Sequence, residues 1–173
     1  PRLVLLVGGP TRHAALADAA FGHLLADLAA QTRASGGSLS VTASRRTPAA
    51  WRAAIAGIDP GLPGLRWTGV ADGENPYAGL LAHADRIVCT PDSVNMLSEA
   101  AATRAPVFAW SADATTGRLR VFVDALRASG RVRDVDDELA PFAAIPLRET
   151  ARVAEEVRRR LTAAAQPARF TAT

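Results

Sequence analysis

Three short polar segments carry side chains that could bind a phosphorylated ligand, and each directly follows an apolar run. The first, residues 8–11, is rich in glycine, which either lets the backbone approach a phosphate closely or meets the need of a tight strand-to-helix turn for small residues. The second, residues 44–47, places two arginines between two hydroxyls, and guanidinium groups form forked hydrogen bonds to phosphate oxygens. The third, residues 92–99, begins where a strand is expected to meet a helix N-terminus, a position that favours anions.

Other residues near these segments could contact a sugar or a base. Glu99 lies too far into its predicted helix to act as a cap, and its carboxylate could accept hydrogen bonds from vicinal hydroxyls. Tyr77, at the start of another predicted helix that Asn75 is expected to cap, either stacks on a base or packs in the core. The candidate substrate-binding residues are Gly8, Gly9, Thr11, Ser44, Arg45, Arg46, Thr47, Asn75, Tyr77, Asp92, Ser93, Asn95, Met96 and Glu99.

The sequence identifies no catalytic residue and no metal site. The three histidines are scattered and lack cysteine or aspartate at ligand spacing, so we expect neither a metal nor a cofactor. His13 lies near the glycine-rich segment, where an exposed histidine is favoured over a catalytic role or a phosphate contact. The single cysteine, Cys89, excludes an internal disulfide and indicates a reducing cytoplasm, and a core thiol is favoured over a nucleophile.

Alternating apolar runs and amphipathic stretches must position these residues. The predicted strands are 3–7, 39–43, 65–68, 86–90 and 105–110; the predicted helices are 14–33, 48–58, 117–127 and 149–161, with shorter ones after Asn75 and Ser93. This alternation predicts an α/β fold with a Rossmann-like parallel sheet and helices on both faces. Because the carboxyl ends of parallel strands share one edge, where open α/β sheets bind ligands, the polar segments should meet there.

Local patterns add finer expectations. Thr47 is expected to cap the helix that starts at residue 48. Apolar spacing directs Val94, Leu97 and Ala101 of one predicted helix, and Val153 and Val157 of the last, toward the interior. Residues 131–140 are polar and acidic and predict a surface loop.

Composition limits domain number and function class. A chain of 173 residues that is 49% hydrophobic can bury one core, which predicts one domain over 1–165 and a frayed tail over 166–173. No run reaches the roughly 18 apolar residues of a membrane span. A net charge of +3 and 5% aromatic residues are low for a nucleic-acid binder. The chain begins at Pro1, without an initiator methionine, and enters an apolar strand two residues later, which predicts a domain of a longer protein.

Three stretches carry a resemblance to a known family: VLLVGGPT, TASRRTP and NPYAGLLAHADRIVCTPDSVNMLSEAAATRAPV. Together they resemble the carboxyl-terminal half of the mitochondrial-fission "elongated mitochondria" family, whose bacterial members are called glycosyltransferases. The Thr-x-Asp-Ser, Ser-Glu-Ala and Pro-Val pattern of the long stretch also resembles the donor-binding half of GT-B glycosyltransferases. The resemblance covers about residues 3–161.

The resemblance implies that the ligand is a nucleotide-diphosphate sugar. Glu99 would hold the donor ribose, while the glycine-rich turn and the amides of residues 93–96 would hold the diphosphate. Arg45 and Arg46 would add positive charge near the phosphates or the sugar. An amino-terminal partner domain, missing from this chain, would supply the general base, so the isolated domain should bind donor weakly and turn nothing over.

The resemblance also implies alternatives. Plant members are associated with recruiting a dynamin-related protein to mitochondria, so one alternative is a non-catalytic module that recruits a protein partner to a membrane. The full-length protein would then associate peripherally with a membrane. A second alternative is a nucleotide-sugar epimerase, which can share the same two-domain fold. Fold alone does not decide between these functions.

Overall fold

The computed structural model describes residues 1–136 and 138–165, so the predicted tail lies outside the described residues. The strands are β1 (Arg2–Val7), β2 (Ser38–Ala43), β3 (Arg66–Trp67), β4 (Arg86–Cys89), β5 (Val107–Ala109) and β6 (Val132–Asp134). The helices are α1 (Asp18–Ala34), α2 (Ala49–Ala56), α3 (Tyr77–His83), α4 (Val94–Ala101), α5 (Gly117–Ala128) and α6 (Glu149–Ala165). No described helix is long and apolar enough to cross a membrane.

The sheet confirms the predicted α/β class. Its order is β3-β2-β1-β4-β5-β6, and every pairing between these strands is parallel. This is the strand order of doubly wound α/β folds, in which the order of strands along the sheet reverses between β1 and β4. Right-handed crossovers then place α1 and α2 on one face and α4 and α5 on the other.

The central strand shows why the apolar runs are continuous. β1 lies between β2 and β4, with Leu5 paired to Val41 on one side and to Val88 on the other. All three side chains are fully buried. A parallel strand covered on both faces has no polar side to present, which explains why its sequence does not alternate.

Three aromatic side chains bind the first two helices to the end of β5. Phe21 of α1 stacks on Trp51 of α2 with ring centroids 4.0 Å apart, and Trp110 packs edge-on against both. The indole Nε1 of Trp51 donates to Asp18 Oδ1 at 2.7 Å. Replacing such a buried aromatic residue by alanine lowers the free energy of unfolding by roughly 3–5 kcal/mol. This cluster therefore fixes α1 and α2 beside the carboxyl edge of the sheet.

The first helix starts four residues later than expected. Ala14, the predicted start, instead forms antiparallel bridges with Thr11 and Thr115. These bridges hold residues 8–17 as a loop against the segment before α5, so the helix begins only at Asp18.

The predicted loop at 131–140 contains a strand. Val132 is buried and opens β6, which extends the sheet by pairing with β5. Only the first of its three residues is buried, so no apolar run marked it in the sequence. Arg131, just before it, is 2% exposed.

The expected inward direction of three valines is wrong. Val153 and Val157 of α6 are 55% and 50% exposed, and Val94 is 45% exposed. On α4 the other two residues expected on that face, Leu97 and Ala101, are buried as predicted. A helical spacing of apolar residues shows that they share a face, but it does not show what that face contacts.

Candidate functional site

A cleft of about 400 Å³ opens where the carboxyl ends of β1, β2 and β3 approach α3 and α4. Polar and apolar side chains share its lining, and the apolar part includes Trp67 and Val70. Six of the predicted site residues line it: Ser44, Arg45, Asn75, Tyr77, Met96 and Glu99.

Tyr77 and Glu99 form a direct contact in this cleft. The Tyr77 hydroxyl donates to Glu99 Oε2 at 2.5 Å, which joins the first turn of α3 to the middle of α4. Burial, followed by the neighbouring carboxylate, raises the pKa of Tyr77 above its ordinary value. The phenol therefore stays protonated and orients the carboxylate, whose other oxygen, Oε1, has no partner among the residues that the structure describes.

Asn75 fixes the start of α3. Its Oδ1 accepts a hydrogen bond from the Tyr77 backbone amide at 3.0 Å. Pro76 occupies the cap position, so the predicted capping contact exists but the helix begins one residue later than expected. This contact holds the Tyr77 backbone, and thereby its ring, at the cleft.

Arg45 supplies a positive charge without an internal partner. Its side chain is exposed and lines the cleft beside Ser44. Within residues 1–136 and 138–165 its guanidinium makes no hydrogen bond or ion pair. A guanidinium in that state can form charge-assisted bonds to a bound anion.

Arg46 and Asp92 are withdrawn from the cleft by pairing with each other. Arg46 Nη2 lies 2.9 Å from Asp92 Oδ2, and the Asp92 side chain is fully buried. Thr90 Oγ1 donates to the other carboxylate oxygen at 2.7 Å and accepts from the Gly8 amide at 2.7 Å. The structure therefore does not bring these two predicted site residues into the cleft.

The two glycines of the first turn have a packing role. A Cβ built on Gly8 would lie 2.1 Å from both carboxylate oxygens of Asp92, and one on Gly9 would lie 2.6 Å from the Arg46 carbonyl oxygen. Both residues are buried. Their small size lets the three polar segments close on one another, in agreement with the tight-turn interpretation that the sequence left open beside approach to a phosphate.

Thr47 does not cap α2, contrary to expectation. Pro48 holds the cap position, and no side chain caps the helix there. The Thr47 hydroxyl instead lies 2.6 Å from the Gly8 carbonyl oxygen and accepts from the Ser44 amide at 2.9 Å. It thereby ties the loop after β2 to the turn after β1.

The remaining candidates lie outside the cleft lining. Ser93 caps α4 by accepting from the Met96 amide at 3.4 Å, and Asn95 is exposed in the first turn. Thr11 pairs with Ala14 through two backbone hydrogen bonds. His13 is exposed, as favoured from the sequence.

Sequence reasoning missed two residues that shape the site. Trp67 lines the cleft at the end of β3, and the strand-end rule applied to that strand would have found it. Arg52, in α2, donates to the carbonyls of Ser44, Thr47 and Thr68. A helix-interior arginine carries no sequence signal for this role.

A second cleft, of about 460 Å³, has the opposite charge. It lies between α1 and the ends of β5 and β6, and four aspartates line it with His23. An anionic ligand would be repelled there, so the cleft that contains Arg45 is the better phosphate site. The described part of the chain holds no group of three His, Cys, Asp or Glu side chains suited to a metal.

Cys89 is expected to be inert in the folded protein. It is fully buried at the end of β4, and burial, with the nearby Asp92 charge, raises the pKa of its thiol. We expect a disulfide reagent such as dithionitrobenzoate to label it at least about 100-fold more slowly than in denaturant. Fast labelling of protein with a native circular-dichroism spectrum would contradict this.

Comparison with known proteins now identifies the family. The family described as "Mitochondrial fission ELM1" matches residues 1–161. The Mitochondrial fission protein ELM1 of Arabidopsis thaliana is 33% identical over 169 residues, which cover 94% of this chain and 38% of that protein. The chain thus spans well under half of that relative's length, and no solved structure matches it. A match over nearly all of the chain, agreeing with the resemblance found in its sequence motifs, shows that it belongs to the mitochondrial fission ELM1 family.

Proposed function

We propose that this chain is a nucleotide-sugar-binding domain, with the ligand in the cleft that Arg45 and Glu99 share. The observation that carries the proposal is the Glu99 carboxylate, held by Tyr77 in the same cleft as the Arg45 guanidinium, which has no partner in the part of the chain that the structure describes. A nucleotide needs both groups, because it presents hydroxyls at its ribose and negative charge at its phosphates.

Each part of the cleft suits one part of such a ligand. The carboxylate oxygen that Tyr77 leaves without a partner could accept from a ribose hydroxyl. Arg45 and the Ser44 hydroxyl would contact a phosphate, and the apolar surface of Trp67 and Val70 would cover a base or sugar. The cleft's volume of about 400 Å³ falls within the range of small-molecule sites.

Binding of nucleotides to the purified protein tests this proposal. Calorimetry at low salt should show saturable binding of UDP or GDP, or of their sugar conjugates. In Glu99→Gln the affinity should fall about fivefold, because a hydrogen bond to a charged acceptor is worth about 1 kcal/mol more than one to a neutral acceptor. Tyr77→Phe should cost about threefold, since it removes only the group that orients the carboxylate.

Glu155→Gln provides the matched control. Glu155 is exposed on α6, away from the cleft, and its substitution should leave affinity unchanged. Equal affinity of wild type and Glu99→Gln would contradict the ribose assignment. If no nucleotide binds, the donor-domain proposal is wrong, and the interaction module remains as the interpretation of the family's role.

We further propose that any reaction requires parts of a longer protein. The chain matches only 38% of its plant relative, and the described cleft contains no histidine that could act as a general base. A GT-B-type transferase would supply the base from its other domain. Product analysis on a full-length protein would separate transfer from epimerisation, because only transfer attaches the sugar to an acceptor, whereas epimerisation inverts a stereocentre of the sugar.

A further inference from the structure

The turn between β1 and α1 is already occupied by an anion of the protein itself. The Asp92 carboxylate lies directly over Gly8, so closely that a Cβ there would overlap both of its oxygens at 2.1 Å. The side chain has no exposed surface, and the contacts of Thr90 and Arg46 hold its two oxygens.

In doubly wound folds this turn is where a dinucleotide's pyrophosphate binds, against the first glycines and the following helix N-terminus. Here that position is closed in three ways. Asp92 fills the space over Gly8, the Arg46 carbonyl fills the space over Gly9, and the Gly8 amide donates to Thr90. In addition, α1 begins only at Asp18, so its N-terminus does not follow the glycines directly.

The charges around the first turn also disfavour a phosphate at that position. Arg46, which the sequence offered as a phosphate contact, is neutralised by Asp92. Arg45 is therefore the guanidinium that the cleft lining provides for a ligand's anionic groups. A phosphate placed at the first turn would face a fixed carboxylate at short range, in a buried setting where solvent screens repulsion weakly.

We propose that Asp92 is a specificity-determining residue that fills the anion position over Gly8 and confines a ligand's phosphates to Arg45. The inference rests on the proposed nucleotide site, because it assigns where that nucleotide's phosphates do not bind. Emptying the position should create an anion site that the wild type lacks, with Arg46 and the Thr90 hydroxyl released to line it.

Inorganic pyrophosphate is the probe for this position. At about 10 mM it should raise the melting temperature of Asp92→Ala by about 3 °C, and that of the wild type by under about 1 °C. Arg46→Gln combined with Asp92→Ala should abolish the gain, since it removes the released cation. A shift in the wild type equal to that in the variant, or no shift in a folded variant, would overturn the proposal.

Nucleotide titrations of the same proteins separate this inference from the proposed function. In the wild type, UDP should bind no more than about threefold more tightly than UMP, and in Asp92→Ala this ratio should rise to about tenfold or more. Arg46→Gln alone should change the affinity for UDP by less than about twofold relative to the wild type, because Arg46 is already paired with Asp92. If UDP binds the wild type and Arg46→Gln weakens it tenfold, Arg46 contacts the ligand and this inference is wrong while the proposed function stands.

If Asp92→Ala does not fold, Asp92→Ser can replace it in the same measurements, because serine keeps a hydroxyl that can accept from Thr90. The wild-type measurement remains decisive in that case. A UDP-to-UMP preference above about tenfold in the wild type would show a second anion site already open, and would overturn the proposal. Absence of nucleotide binding to the wild type would overturn the proposed function, whatever the pyrophosphate result.

Discussion

Arg131→Met should lower the free energy of unfolding by about 3 kcal/mol or more. The Arg131 guanidinium is buried and lies within hydrogen-bond distance of four backbone carbonyls, those of Ala100, Ala101, Thr103 and Ala105. Desolvation lowers its pKa, so the protein bears a cost to keep this charge inside. Methionine preserves the buried stem but removes the donor to the Thr103 and Ala105 carbonyls, whereas those of Ala100 and Ala101 keep the backbone amides of Thr103 and Leu147. Urea unfolding would measure the loss.

Arg118→Met is the matched control, because Arg118 is exposed on α5. Its free energy of unfolding should change by less than about 0.5 kcal/mol. Equal stability of the two variants would show that the carbonyls near Arg131 find other donors or water. A loss confined to Arg131→Met, with an unchanged urea dependence, would place the effect in the folded state.

Arg131 also shows why one part of the sheet was not predicted. Its segment is polar and acidic, and a single buried valine in β6 gives no period to recognise. The strand forms because Arg131 ties it to the carbonyls after α4, while the backbone of residues 132–134 pairs with β5. Both causes are contacts with segments distant in sequence, and local strand propensity carries no information about such contacts.

Where strands were long and covered on both faces, the sequence was sufficient. β1 and β4 are apolar at every position after their first residue, and their positions follow from that alone. The carboxyl-edge rule then brought Ser44, Arg45, Tyr77 and Glu99 toward one cleft from three separate segments. The rule holds because parallel strands all end at the same edge, whatever their loops contain.

The pairing of Arg46 with Asp92 could not be predicted in the same way. The sequence placed both residues at that edge, and the edge rule treats every polar side chain there as available to a ligand. Which charges neutralise one another depends on distances of a few ångströms between loops 46 residues apart. Arg45 and Arg46 are adjacent and chemically identical, yet one lines the cleft and the other is held by a buried carboxylate.

Gly8→Ala should destabilise the protein by about 3 kcal/mol, although it adds only one methyl group. The added carbon would sit 2.1 Å from the Asp92 carboxylate, so either the β1 turn or the Asp92 side chain must move. Movement of Asp92 breaks its contacts with Thr90 and Arg46 and disturbs a buried charge. Thermal and urea unfolding of the purified variant would measure the effect.

Gly22→Ala is the control, and its expected sign is opposite. Gly22 lies inside α1, and a Cβ there would meet nothing within 4 Å. Replacing glycine by alanine within a helix should therefore raise stability by about 0.5–1 kcal/mol.

The double variant Gly8→Ala/Asp92→Ala tests whether Asp92 causes the loss. If it does, the double variant should be less destabilised than the sum of its single variants, because the methyl group occupies space that the carboxylate has left. If the two single-variant changes in the free energy of unfolding simply add, the loss in Gly8→Ala comes from backbone strain at the turn and not from its contact with Asp92.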